Sequence, residues 1–162
     1  MKDTYLVGNY SINCKGNLID LSTPKIMSIV NTTPDSFYDG GKYNTIEKAL
    51  QKVELDISNN TTFIDVGGYS SKPNANHVTE EEELKRTIPT IEAILNSFPK
   101  AVISIDTFRG KVAKEAIEAG AAMINDISAF ELDKEMINTL STYKVPYILM
   151  HMQGTPQNMQ EN

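Results

Sequence analysis

The chain has 162 residues, 40% hydrophobic and 22% charged, with a net charge of −6 at pH 7. That length supports one compact domain with its own core, and the acidic balance argues against a nucleic-acid surface, which needs clustered Lys and Arg. A single cysteine, Cys14, excludes an internal disulfide. No apolar run is long enough to cross a membrane and no signal-peptide core is present, so the expected location is cytoplasmic.

Residues 4–24 read as a β-hairpin. Tyr5-Leu6-Val7 and Leu18-Ile19-Asp20-Leu21 flank a turn at Lys15-Gly16-Asn17. Such a hairpin could plug the bottom of a barrel. Cys14, beside the turn, is given no role. A strand follows at 25–31, then a polar loop, then a helix with Ile46, Ala49, Leu50, Val53 and Ile57 on one face and Asn44 as its cap.

The second strand, 62–66, runs into Gly67-Gly68, which permit close backbone approach or positive φ. Thr79 and Glu82 form a capping box for the next helix. Its buried stripe is Leu84, Ile88, Ile91, Leu95 and Phe98, with Pro89 expected to kink it. The run from Glu80 to Glu83 reads as a solvated first turn that complements the helix dipole. The third strand, 101–106, is apolar enough for burial on both faces. A short helix with Val112, Ala113, Ala116 and Ile117 inward ends at Gly120. A strand at 122–127, a helix at 134–143 carrying Met136, Ile137 and Leu140, and a strand at 146–152 complete the chain.

Strict alternation of strand and helix argues for a parallel α/β sheet, doubly wound or barrel-shaped. Polar residues recur where the chain leaves each strand: Asn31, Asp65, Asp106, Asn125 and His151. In a parallel α/β fold these ends converge on one face, so the five should ring a pocket. The alternative for the stretch 31–41 is an ordinary surface turn, and for Asp106 a cap of the helix that follows.

Here the motifs become recognisable. Asn31-Thr32-Thr33-Pro34-Asp35-Ser36-Phe37 with Asp39-Gly40-Gly41 resembles the first signature of dihydropteroate synthases. Ile64-Asp65-Val66-Gly67-Gly68-Tyr69-Ser70-Ser71-Lys72-Pro73 resembles the second. Ser104-Ile105-Asp106-Thr107, Ile124-Asn125-Asp126-Ile127 and Leu149-Met150-His151-Met152-Gln153-Gly154 resemble later blocks, in order and at matching spacing.

The resemblance implies a partial (β/α)8 TIM barrel with an N-terminal β-hairpin. Residues 1–162 would form a single pterin-binding domain, incomplete at its C-terminus, because a full barrel takes roughly 250 residues. The implied reaction belongs to folate biosynthesis. It joins 6-hydroxymethyl-7,8-dihydropterin pyrophosphate to p-aminobenzoate, giving 7,8-dihydropteroate and pyrophosphate, with Mg²⁺ as cofactor. Asp106 matches the carboxylate that pairs with the pterin, Asn125 its neighbour, and Ile127 and Met150 apolar walls. Asn31 matches the metal-contacting asparagine. Asp39, Ser71 and Lys72 match residues assigned to catalysis, and Phe37 and Pro73 residues of the p-aminobenzoate pocket.

Three positions depart from the family pattern: Ser71 stands for threonine, Lys72 for arginine and Asn74 for glycine. Lys72 keeps the charge and loses the planar fork. The family's later aspartate, lysine, arginine and histidine have no counterpart up to Asn162, so the 162-residue chain alone is expected to be inactive or nearly so. The full-length enzyme is expected to be a homodimer and, as in the family, a sulfonamide target. Alternative readings are a pterin-binding domain of the corrinoid-linked methyltransferase type and a non-catalytic remnant.

Overall fold

The structure, a computed structural model, describes residues 10–32, 42–69 and 77–150, with backbone alone at 42–45. It opens with a hairpin. Strands β1 (Ser11–Cys14) and β2 (Asn17–Asp20) pair antiparallel, with Cys14 opposite Asn17. Lys15 and Gly16 between them have φ of 51° and 87°. Two successive positive φ values are type I′ geometry, whose twist suits a two-residue hairpin. The partner of β2 is thus Ser11–Cys14, and the expected Tyr5-Leu6-Val7 strand lies outside the described residues. Cys14 closes β1 and is buried in apolar surroundings, so it belongs to the core and not to a surface turn.

Five parallel strands then alternate with four helices. In chain order these are β3 (Met27–Asn31), α1 (Lys42–Ser58), β4 (Phe63–Gly67), α2 (Glu80–Ser97), β5 (Val102–Asp106), α3 (Gly110–Glu118), β6 (Met123–Asp126), α4 (Glu135–Tyr143) and β7 (Tyr147–Leu149). The sheet order is β3-β4-β5-β6-β7, the same as the chain order. A doubly wound sheet reverses direction at a switch point. Here no reversal occurs, and right-handed crossovers that all advance the same way put every helix on one face. That is an arc of a (β/α) barrel, as expected, and the doubly wound option falls away.

The helix side of the sheet is mostly apolar, and the other side is apolar only toward its N-terminal end. On the helix side, Val30, Ile64, Val66, Ile103, Ile105 and Ile124 pack against Ala49, Val53, Ile91, Ile94, Val112, Ala116 and Met136. Each buried Ile or Val side chain contributes about 1.5–3 kcal/mol by transfer from water. On the other side, Phe63, Met123, Met27, Val102 and Ile148 meet Cys14, Ile12 and Ile19 of the hairpin. The hairpin plugs the N-terminal end of the inner face and leaves the C-terminal end to polar residues.

Several local expectations hold. Thr79 caps α2, its hydroxyl accepting from the Glu82 amide at 3.2 Å. Gly120, at φ 120°, follows the Ala119 cap of α3. The helix expected on both sides of Pro89 is continuous through it, and the kink there stays an expectation. Others are corrected. Helix α1 begins at Lys42, so Asn44 is its third residue and not its cap. Ile57 is exposed and, with Thr62, Phe98 and Val102, lines a cavity of about 430 Å³. Ile137 is exposed as well. Helix α4 turns Met136 and Thr139 inward, the Thr139 hydroxyl donating to the Gly110 carbonyl at 3.0 Å.

Candidate active site

The strand register aligns one row of residues across the sheet: Asn31, Gly67, Asp106, Asn125 and Ile148. One step deeper runs a second row on the same face: Ile29, Asp65, Ser104 and Met123. Gly67 keeps the upper row open. A Cβ at Gly67 would lie 3.2 Å from Asp106 Oδ2 and 3.7 Å from Asn31 Oδ1. A side chain there would fill the space between the two oxygens. Neither Gly67 nor Gly68 has a positive φ, so close approach is what both positions require.

The cluster is acidic and partly dry. Asn125 Nδ2 donates to Asp65 Oδ2 at 3.0 Å. Asp65 is 3% exposed. Burial raises its pKa, opposed by the nearby Ser104 hydroxyl and the Asn125 amide. Ser104 faces Asp65 in the register, yet no well-formed hydrogen bond joins them: Asp65 Oδ1 and Ser104 Oγ are both buried without a partner. Such atoms cost free energy unless something satisfies them. Asp106 is pushed up to about 8, first by burial and then by the charges of Asp65, Glu83 and Asp126. A carboxyl perturbed this far, beside a second buried carboxyl, is the signature of a binding or reacting site.

Of the residues expected to act here, the structure brings together Asn31, Asp106 and Asn125. Ile127 is half-buried in the turn after β6, and Met150, 36% exposed, follows β7 at the same end of the sheet. Phe37, Asp39, Ser71, Lys72, Pro73 and His151 lie outside the described residues. Asp65 sits below the strand end and not at it, a depth that strand counting could not reveal.

The family model described as "Pterin binding enzyme" matches residues 27–162. The chain belongs to the pterin-binding enzyme family. Over 144 residues it is 44% identical to the dihydropteroate synthase of Haemophilus influenzae, covering 89% of this chain and 52% of that protein. It is 52% identical over 126 residues to the dihydropteroate synthase of Clostridium beijerinckii, covering 78% and 46%. The structure of Xanthomonas albilineans dihydropteroate synthase with 4-aminobenzoic acid superposes with a TM-score of 0.83 at 38% identity, covering 91% and 53%. The chain thus spans about half the length of the curated bacterial relatives it resembles.

Two carboxylates of this pterin-binding family member escaped the sequence reading. Glu83 is no solvated residue: it is fully buried, accepting from Thr107 Oγ1 at 2.6 Å and paired with Arg109. Burial raises its pKa, with Thr107 and Arg109 pulling it back. Its signal was there, because Glu83, Thr87, Thr90, Ile91 and Ile94 share the buried stripe of α2. Polar letters on a helix simply read as surface. Asp126 points to the helix side. It accepts from the Ser128 amide and hydroxyl at 2.8 Å each, the Phe130 amide at 3.1 Å and the Tyr147 hydroxyl at 2.7 Å. It thereby shapes the turn in which Ala129 and Phe130 take positive φ.

Proposed function

We propose that this protein is a dihydropteroate synthase, its 162 residues supplying about five of the eight βα units of a (β/α)8 barrel. The observation that carries the reading is the row Asn31, Gly67, Asp106 and Asn125 at one end of the sheet, with Asn31 and Asp106 facing each other across Gly67. It is supported by the names of the relatives and by 4-aminobenzoic acid in the Xanthomonas structure. The reaction condenses 6-hydroxymethyl-7,8-dihydropterin pyrophosphate with p-aminobenzoate.

In this reading the Asp106 carboxylate accepts two N–H bonds from the amino-pyrimidine edge of the pterin, a bidentate pairing. Asn125 lies beside it, held by Asp65, and Ile127 and Met150 wall the ring. The carbon–oxygen bond to pyrophosphate breaks, and the arylamine attacks the freed methylene. Ser71 and Lys72 hold the departing phosphates, Asp39 closes the site, and Phe37 and Pro73 hold the arylamine ring. Mg²⁺ would be held through the Asn31 side-chain carbonyl, which lies across Gly67 from Asp106 Oδ2. Few protein ligands suit an ion that keeps waters and substrate phosphates. Bound there, it supplies Lewis-acid stabilisation of the leaving group.

No helix of the described residues is long and apolar enough to cross a membrane. The full-length protein is proposed to be a cytoplasmic homodimer. The test is pyrophosphate release by the purified full-length protein given the pterin pyrophosphate and p-aminobenzoate. Release that needs both substrates supports the reading. Binding of a pterin without pyrophosphate, and no release, would point to a methyltransferase-type pterin domain instead.

A further inference from the structure

Asp65, Glu83 and Asp126 all bear on Asp106 through their charge. Two of the three have the partners that a buried carboxylate needs. Glu83 uses both oxygens, one on Thr107 Oγ1 at 2.6 Å and one on Arg109 Nη1. Asp126 accepts from the Ser128 and Phe130 amides and from the Ser128 and Tyr147 hydroxyls. Asp65 differs. Its Oδ1 has no partner, and among the described residues no cation offsets its burial. What holds it is the bond of 3.0 Å from Asn125 Nδ2 to its Oδ2. A carboxylate in this state lowers stability, because its desolvation is only partly offset. Nothing in β4 itself asks for it. That strand is buried along its whole length, and its other four residues are Phe63, Ile64, Val66 and Gly67.

The bond to Asn125 reaches across β5. Asp65 on β4 is in register with Ser104 on β5, and Asn125 on β6 is in register with Asp106 on β5. A side-chain amide has a donor end and an acceptor end, whereas an ionised carboxylate only accepts. Asp65 therefore fixes the amide with Nδ2 turned toward it. The flipped amide would set Asn125 Oδ1 against Asp65, acceptor against acceptor. Asn125 is half-buried beside Asp106. Its amide then presents its carbonyl oxygen and its second N–H to the site in one fixed order. Holding a polar group in one orientation before the ligand arrives removes a cost from binding.

We propose that Asp65 is a positioning residue, which holds the Asn125 amide in one orientation beside Asp106 and so sets the order of acceptor and donor that the pterin edge meets. The proposal rests on the function proposed above for that corner. Asp65 then lowers the stability of the fold while raising affinity for the ligand, the reverse of what a structural carboxylate does.

The test compares Asp65→Leu with Asp65→Asn in the full-length protein. The first keeps the bulk and removes the acceptor; the second removes the charge and keeps a carbonyl acceptor. Asp65→Ala stands in for the leucine variant if the larger side chain does not fit. Loss of the Asp65 charge also eases the ionisation of Asp106, but both variants lose the same charge, so the difference between them isolates the hydrogen bond. Affinity for 6-hydroxymethyl-7,8-dihydropterin is read by calorimetry at pH 9, where Asp106, at about 8, is about nine-tenths ionised in the parent. In Asp65→Leu, Kd should rise by about tenfold or more, the worth of a hydrogen bond to a charged group. In Asp65→Asn, whose amide can hold Asn125 either way round, the rise should stay near about twofold. Neither variant should melt below the parent. Without ligand, hydrogen exchange of the Asn125 side-chain NH2, followed by NMR at pH 7, should quicken in Asp65→Leu about tenfold relative to Asp65→Asn. Equal affinities in the two variants, or losses that track a lowered melting temperature, overturn the proposal. Should the parent bind no dihydropterin, the reading of function fails, and the exchange of the Asn125 side chain alone decides whether Asp65 holds it.

Discussion

Asp106 shows how one side chain can report on its whole surroundings. A carboxylic acid normally ionises near pH 4, but burial and three neighbouring acids raise Asp106 to about 8. Pairing with two N–H donors requires the ionised form, so at pH 7 ligand binding should release a proton. The expected outcome is an affinity for a neutral dihydropterin that rises about tenfold per pH unit between pH 6 and 8, then levels off. Calorimetry in two buffers of different ionisation enthalpy checks the proton count, and Asp106→Asn should abolish the slope. The sign for stability runs the other way. Because the folded value is raised, the contribution is complete below about pH 4 and is lost as pH rises through 8. Asp106→Asn should therefore gain stability relative to the parent in thermal melts at pH 9, and gain less at pH 6. Equal pH dependence in both proteins would mean that Asp106 titrates normally.

Elements are held apart at fixed distances, and Gly110 sets one of them. It opens α3, where its amide donates to Asp133 Oδ2 at 2.7 Å and its carbonyl accepts from Thr139. A Cβ at Gly110 would lie 2.6 Å from the Glu135 carbonyl carbon and 2.7 Å from the Met136 amide nitrogen. Both are backbone atoms, which cannot swing away as a side-chain tip can. Gly110→Ala should cost about 1–3 kcal/mol by overpacking, seen as a lower urea midpoint with an unchanged slope. A loss below about 0.5 kcal/mol would show that α4 shifts cheaply. Element positions were legible in the sequence because period, cap and turn residues agreed, as at Thr79, Gly120 and the Val112–Ile117 stripe. Which face of α2 and α4 is deepest was not. Glu83, Thr87 and Thr139 look like surface residues until a partner from another element covers them.

At the scale of the molecule, the inner face carries the site, and exposed apolar groups sit at both edges of the sheet. Among the described residues β3 and β7 are the outer strands of the sheet. Ile29 is 57% exposed and Leu149 58%. Open strand edges beside apolar groups invite pairing with other chains. The 162 residues made alone should therefore sediment as concentration-dependent assemblies and form no dihydropteroate. A monodisperse monomer over a wide concentration range would contradict the first expectation, and measurable product the second.

The sequence by itself determined the alternation of strands and helices, the hairpin turn and the polar residues Asn31, Asp106 and Asn125 at or next to the ends of three strands. These depend on local periodicity, on turn chemistry and on short motifs whose residues are neighbours in the chain. Tertiary structure decided the rest: a sheet ordered as a barrel arc, Asp65 a row below Asp106, Cys14 in the core, and Glu83 buried against Thr107 and Arg109. The physical reason is the same in each case. Burial, desolvation and pairing across elements are set by what the fold places opposite a residue, and that partner lies many residues away in the chain.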